Sequence, residues 1–123
     1  MSEPKIILIV DDEKPIARAL ELKLGHNGFS VKIARDGEQA LNFLEKEKVD
    51  LILLDIVMPK ADGFKVLSEL KNRQKNMTVF VITNLSQPED QKKARDLGAS
   101  EFFVKSDVSI NEIVEKIKNL FKS

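Results

Sequence analysis

Five side chains scattered along the chain are of types that can do chemistry together: the carboxylates of Asp11, Asp12 and Asp55, the hydroxyl of Thr83 and the ammonium of Lys105. Each stands at the end of a short apolar run. Ile6 to Val10 precede Asp11, Leu51 to Leu54 precede Asp55, Val79 to Ile82 precede Thr83, and Phe102 to Val104 precede Lys105. Three carboxylates brought within several ångströms repel, and at least one pKa rises unless a cation settles among them. That cation must be one that oxygen holds, because cysteine is absent and His26 is the single histidine. Mg2+ suits such a set, typically bound by one or two carboxylates, waters and a phosphate oxygen. On this reading Asp12 and Asp55 are direct ligands, Asp11 acts through water, and the backbone carbonyl of Val57 completes the shell. A metal-bound carboxylate beside a lysine and a hydroxyl can attack phosphorus, since both cations neutralise the transferring oxygens. Asp55 would then become an aspartyl phosphate.

The elements between these residues must bring them together. Five strand candidates, Ile6 to Val10, Val31 to Ala34, Leu51 to Leu54, Val79 to Ile82 and Phe102 to Val104, alternate with helix-sized spacers. The run Leu51-Ile52-Leu53-Leu54, bounded by charge, suits a strand covered on both faces. Pro15 to Leu24 carries Ile16, Ala17, Leu20 and Leu24 at helical spacing, with Gly25 or Gly28 to end it. Asp36 with Gln39 three residues on reads as the cap of a second helix. Gly63 to Leu70 and Ser86 to Leu97 give a third and a fourth, the latter closed by Gly98. Ser109 and Glu112 form a capping box, with Val108 placed to staple onto Ile113, at the start of the fifth. His26 reads as a loop residue without a role. Strict alternation predicts an α/β protein: a doubly wound five-stranded parallel sheet of order 2-1-3-4-5, flavodoxin-like (βα)5, with ligands at the carboxyl ends of the strands.

At 123 residues the chain fits one domain, 1–123, able to bury a core without disulfides. Lys+Arg 20 balance Asp+Glu 20, so no global basic field draws nucleic acid or an anionic membrane. The five-residue apolar run near the N-terminus is too short for a signal-peptide core or a membrane span, which predicts a cytoplasmic protein.

These residues resemble the receiver domains of bacterial two-component response regulators, over nearly the whole chain. The family's acidic pair matches Asp11-Asp12, and its Asp-x-x-Met-Pro-x-x-Asp-Gly segment matches Asp55 to Gly63. Its switch hydroxyl matches Thr83, its lysine Lys105 and its switch aromatic Phe102. The resemblance implies phosphotransfer onto Asp55 from a sensor histidine kinase or histidine phosphotransfer protein, with Mg2+ as cofactor. Thr83 would swing toward the phosphoryl group, Phe102 would turn inward, and helix four, strand five and helix five would change to control a downstream protein target. It implies no enzyme beyond self-catalysed phosphorylation and dephosphorylation, and it is compatible with a homodimer. The chain departs from the pattern at Ser106, where the family usually has a cis proline, and at Asn84, where it usually has a small residue. Val57 and Leu85 are apolar at positions that tune dephosphorylation in the family. Because helix five runs almost to Ser123, the chain reads as a stand-alone receiver or as a piece of a longer regulator.

Rival chemistries fit less well. A haloacid-dehalogenase-type phosphatase needs a second aspartate two residues beyond the first, where Val57 stands. Flavin binding needs a phosphate loop after strand one, where Asp11 and Asp12 would oppose an anion. Asn84 and Ser106 also suit a receiver-like interaction module working without phosphorylation.

Overall fold

The structure is a computed structural model that describes residues 3–57, 63–73 and 77–122, with Arg73 described by its backbone alone. Its strands are β1 (Ile6–Val10), β2 (Ser30–Ala34), β3 (Leu51–Leu54), β4 (Thr78–Thr83) and β5 (Glu101–Val104). Its helices are α1 (Lys14–His26), α2 (Gly37–Lys46), α3 (Gly63–Arg73), α4 (Pro88–Asp96) and α5 (Ile110–Leu120). All strand pairs are parallel and the order is β2-β1-β3-β4-β5, as the alternation predicts.

Side chains alternate across the sheet and build two cores. On one face Leu8, Val10, Ile52, Leu54 and Val81 pack with Ala40, Val66, Leu67 and Ala94 of α2, α3 and α4. On the other, Ile7, Ile9, Leu51, Leu53 and Ile82 pack with Leu20 of α1 and Ile113 and Ile117 of α5. All four residues of β3 are wholly buried, the condition that its uninterrupted apolar run anticipates.

The helix ends show what the sequence says locally and where tertiary structure amends it. Ser109 and Glu112 form the full capping box. At α2 the Asp36 carboxylate accepts the Gln39 amide at 2.8 Å, but the Gln39 side chain reaches past Asp36 and accepts from Arg35 N at 2.9 Å. Helix α1 runs through Gly25 to His26, which therefore lies in its last exposed turn and not in a loop; the left-handed turn falls on Gly28, at φ 89°. α4 begins at Pro88, two residues after the expected Ser86, because proline suits a first turn.

Candidate functional site

Register makes the site. Val10 pairs with Leu54, so the residues just beyond them, Asp11 and Asp55, emerge side by side, with Asp55 N donating to Val10 O at 2.9 Å. Thr83 pairs with Val104, and Lys105 N then donates to Thr83 O at 2.8 Å, which starts the lysine from the same edge. Among the described residues the buried polar ones are Asp11, Asp36, Asp55 and Thr83; Asp36 caps a helix and the other three face this edge.

Lys105 ties the edge together. Its ammonium lies 3.0 Å from Asp55 Oδ2, 3.0 Å from Asp11 Oδ2 and 2.6 Å from Glu13 Oε1, with a side chain only 6% exposed. Burial by itself would lower the pKa of this lysine, but hydrogen bonds to Glu13, Asp55 and Asp11 outweigh it and hold the ammonium well above its ordinary value. Asp11 moves upward too: burial disfavours its charge more than the Glu13 amide and Lys105 restore it, and the neighbouring Asp55 carboxylate adds to the rise. Glu13 did not figure among the expected site residues. Its signal was its place directly after Asp11-Asp12, which extends the acidic run by one.

Asp11, Asp12 and Asp55 each offer a carboxylate oxygen within 4.8 Å of the others, Asp12 exposed and its partners buried. Asp11 Oδ2 is buried and accepts no hydrogen bond, although the Lys105 ammonium is near. An all-oxygen donor set with a buried carboxylate oxygen that only the Lys105 ammonium approaches fits a hard divalent cation. Val57, the fourth expected ligand, is 52% exposed beyond β3, and its amide donates to Asp55 Oδ1 at 3.0 Å. Met58, Pro59 and Asp62 of the sequence motif lie outside the described residues.

Gly63 packs against the residues just beyond Asp55. Its amide donates to Ile56 O at 3.0 Å, and a Cβ there would run into Ile56 Cα and come within 2.9 Å of the Asp55 carbonyl oxygen. Glycine is required by close approach, beyond easing the entry to α3.

The remaining expected residues sit around this centre. Thr83 is fully buried at the end of β4, its Oγ1 accepting from Leu85 N over a long 3.4 Å. Phe102 is half-buried on the α4 side of the sheet, while Phe103 points to the opposite face and meets Phe80 edge-on at 5.9 Å, so the two aromatics do not compete for one position. The Lys105-Ser106 peptide is trans. Asn84 and Ser106 are exposed, and Leu85 is half-buried.

The family model of the response regulator receiver domain matches residues 7–118. The chain belongs to that family. This receiver is 35% identical over 118 residues to the alkaline phosphatase synthesis transcriptional regulatory protein PhoP of Bacillus subtilis, covering 96% of this chain and 49% of that protein. It is 36% identical to a probable transcriptional regulator, ycf27, of Porphyridium aerugineum, covering 94% of this chain and 48% of that one. The receiver thus spans about half the length of these curated relatives. Among solved structures it superposes on a CheY-like receiver domain from Methanospirillum hungatei with a TM-score of 0.89 at 29% identity, over 95% of this chain and 93% of that one. It also superposes on the response regulator TrrA of Thermotoga maritima in complex with Mg(2+)-BeF, with a TM-score of 0.83 at 33% identity, over 95% and 99%. No helix among the described residues is long and apolar enough to cross a membrane.

Proposed function

We propose that this receiver is a phosphorylation-dependent switch in which Asp55 accepts a phosphoryl group from a sensor histidine kinase or a histidine phosphotransfer protein. The observation that carries the reading is the buried Lys105 ammonium, 3.0 Å from both Asp11 and Asp55 at the mouth of the central strands. A carboxylate oxygen of Asp55 attacks phosphorus in line and forms the new P–O bond. The P–N bond to the donor imidazole breaks, and the imidazole nitrogen keeps the electron pair and takes up a proton. Lys105 follows the charge that develops on the phosphoryl oxygens. Mg2+, held by Asp12, Asp55 and the Val57 carbonyl, with Asp11 through water, would supply the second positive charge at those oxygens.

The Thermotoga maritima relative in complex with Mg(2+)-BeF supports both the cation and the acceptor site by analogy. Thr83 would turn its hydroxyl from the Leu85 amide toward the phosphoryl group, and Phe102 would close behind it. The readout surface would be α4, β5 and α5. α4 buries only Ala94 and is held to α3 by polar ties: Lys71 donates to Asp96 O at 3.0 Å, and the Lys93 ammonium lies 4.3 Å from the Phe64 ring centre. Such ties re-form at small cost when a helix shifts. A cytoplasmic location and control of a protein target, without direct contact to nucleic acid or membrane, agree with the balanced charge.

Incubation with Mg2+ and acetyl phosphate tests the reading. The parent should gain one acid-stable, base-labile phosphoryl group by intact mass, and Asp55→Asn should gain none; equal labelling of the two overturns it. A parent that binds Mg2+ but never labels points to the receiver-like interaction module instead.

A further inference from the structure

We infer that Glu13 is a latch on the resting site: its carboxylate occupies Lys105 where the incoming phosphoryl group must bind, and it has to leave before that group is seated. The inference rests on the reading of Asp55 as the acceptor.

Of the contacts that Lys105 makes, the one to Glu13 is the shortest, 2.6 Å against 3.0 Å to Asp11 and to Asp55. It joins residues 92 apart in sequence. Glu13 stands at the N-cap of α1 and makes no capping bond, its side chain being longer than those that usually accept from the first helix amides. The carboxylate pairs with Lys105, just beyond β5, and not with its own helix. Its backbone is held in place meanwhile, because Glu13 N donates to Asp11 Oδ1 at 2.9 Å.

The two ends of this ion pair are unequally buried. The Lys105 side chain is 6% exposed and that of Glu13 is 52% exposed. The Lys105 side chain is almost wholly covered, whereas that of Glu13 can swing outward into water. Phosphorylation replaces the single negative charge of Asp55 with about two. Phosphoryl oxygens gripping the same ammonium would crowd the Glu13 carboxylate, and like-charge repulsion ejects the partner with the easier exit. A half-exposed pair contributes little, so the latch biases the resting site and does not lock it.

The test is the affinity for beryllofluoride, a phosphoryl mimic, with Mg2+ saturating, followed by amide NMR shifts in the parent, Glu13→Gln and Glu13→Asp. Glu13→Gln removes the charge at constant size. Glu13→Asp keeps the charge, but its shorter side chain cannot span to Lys105. Both should bind roughly three- to fivefold more tightly than the parent at low salt, the scale of an exposed ion pair. The advantage should shrink at molar salt, which screens such a pair. Equal or weaker binding by Glu13→Gln overturns the latch, and so does parent-like binding by Glu13→Asp, since charge at the mouth and not the ion pair would then be responsible. If neither parent nor variants bind beryllofluoride, the reading of Asp55 falls and the latch falls with it. If the parent binds and the variants match it, the latch falls alone.

Discussion

The ammonium of Lys105 lies 3.0 Å from Oδ2 of Asp55, fifty residues away in sequence and just beyond a strand that β4 separates from the one preceding Lys105. Both side chains are almost wholly buried, at 6% and 4% exposure. Each charge offsets part of the cost of burying the other, so the pair couples the stability of the fold to the chemistry of the site.

Lys105→Ala should therefore destabilise the protein by about 3 kcal/mol, since it strands Asp11 and Asp55 as uncompensated buried charges. Mg2+ should return part of the loss. Urea unfolding followed by far-UV circular dichroism measures both, and the absence of tryptophan makes that probe preferable to fluorescence. A loss below about 0.5 kcal/mol, the scale of an ordinary surface substitution, would count against the clamp.

Asp11→Asn should act in the opposite direction when no divalent cation is added. Asp11 holds its proton to higher pH in the fold than the ordinary 3.8. The stability it lends is thus fully present below that value and lost as pH rises through its folded value. At neutral pH the substitution should raise stability by about 1 kcal/mol, Lys105 keeping Asp55 and Glu13 as partners. Added Mg2+ should raise the melting temperature of the parent more than that of the variant. Equal responses would remove Asp11 from the cation site.

Gly63→Ala places a methyl group against Ile56 Cα and the Asp55 carbonyl. Backbone cannot yield as a flexible side chain does, so a loss of about 2 to 3 kcal/mol is expected, with weaker Mg2+ binding as Asp55 shifts. Calorimetric titration of Mg2+ against the folded variant separates the two effects.

Val57 and Leu85 are expected to bear on how long a phosphoryl group stays on Asp55 if the proposed function holds. Val57 is 52% exposed at the mouth and Leu85 is half-buried, and neither side chain can orient a water by hydrogen bonding. The double substitution Val57→Asn and Leu85→Glu should speed loss of the phosphoryl group about tenfold, or 1.4 kcal/mol in the barrier. Decay of the phosphorylated mass after removal of acetyl phosphate gives the lifetime; an unchanged value would show that the two positions do not govern hydrolysis here.

Much of this protein is written in local patterns. Apolar runs of three to five residues, each closed by a polar side chain, mark four of the five strands and their carboxyl ends, because a strand buried on both faces tolerates charge only where it emerges. The box of Ser109 and Glu112 and the apolar spacing of α1 and α5 could be read directly, since caps and helix faces depend on residues three and four apart. Asp11, Asp12, Asp55, Thr83 and Lys105 could accordingly be named from the sequence alone.

Tertiary structure decided what those residues do to one another. The alignment of Val10 with Leu54 sets the two buried carboxylates side by side, and no local pattern carries a register between strands. Glu13 only extends the acidic run of Asp11 and Asp12 until the fold brings Lys105 within 2.6 Å of it. Gly63 looks like a permissive helix start until Ile56 packs against the place where its Cβ would be. Phe102 and Phe103 are indistinguishable as neighbouring aromatics until the pleat of β5 sends them to opposite cores. In each case the deciding partner lies outside the helix or strand to which the residue belongs, and its charge or volume acts only once the chain has closed around it.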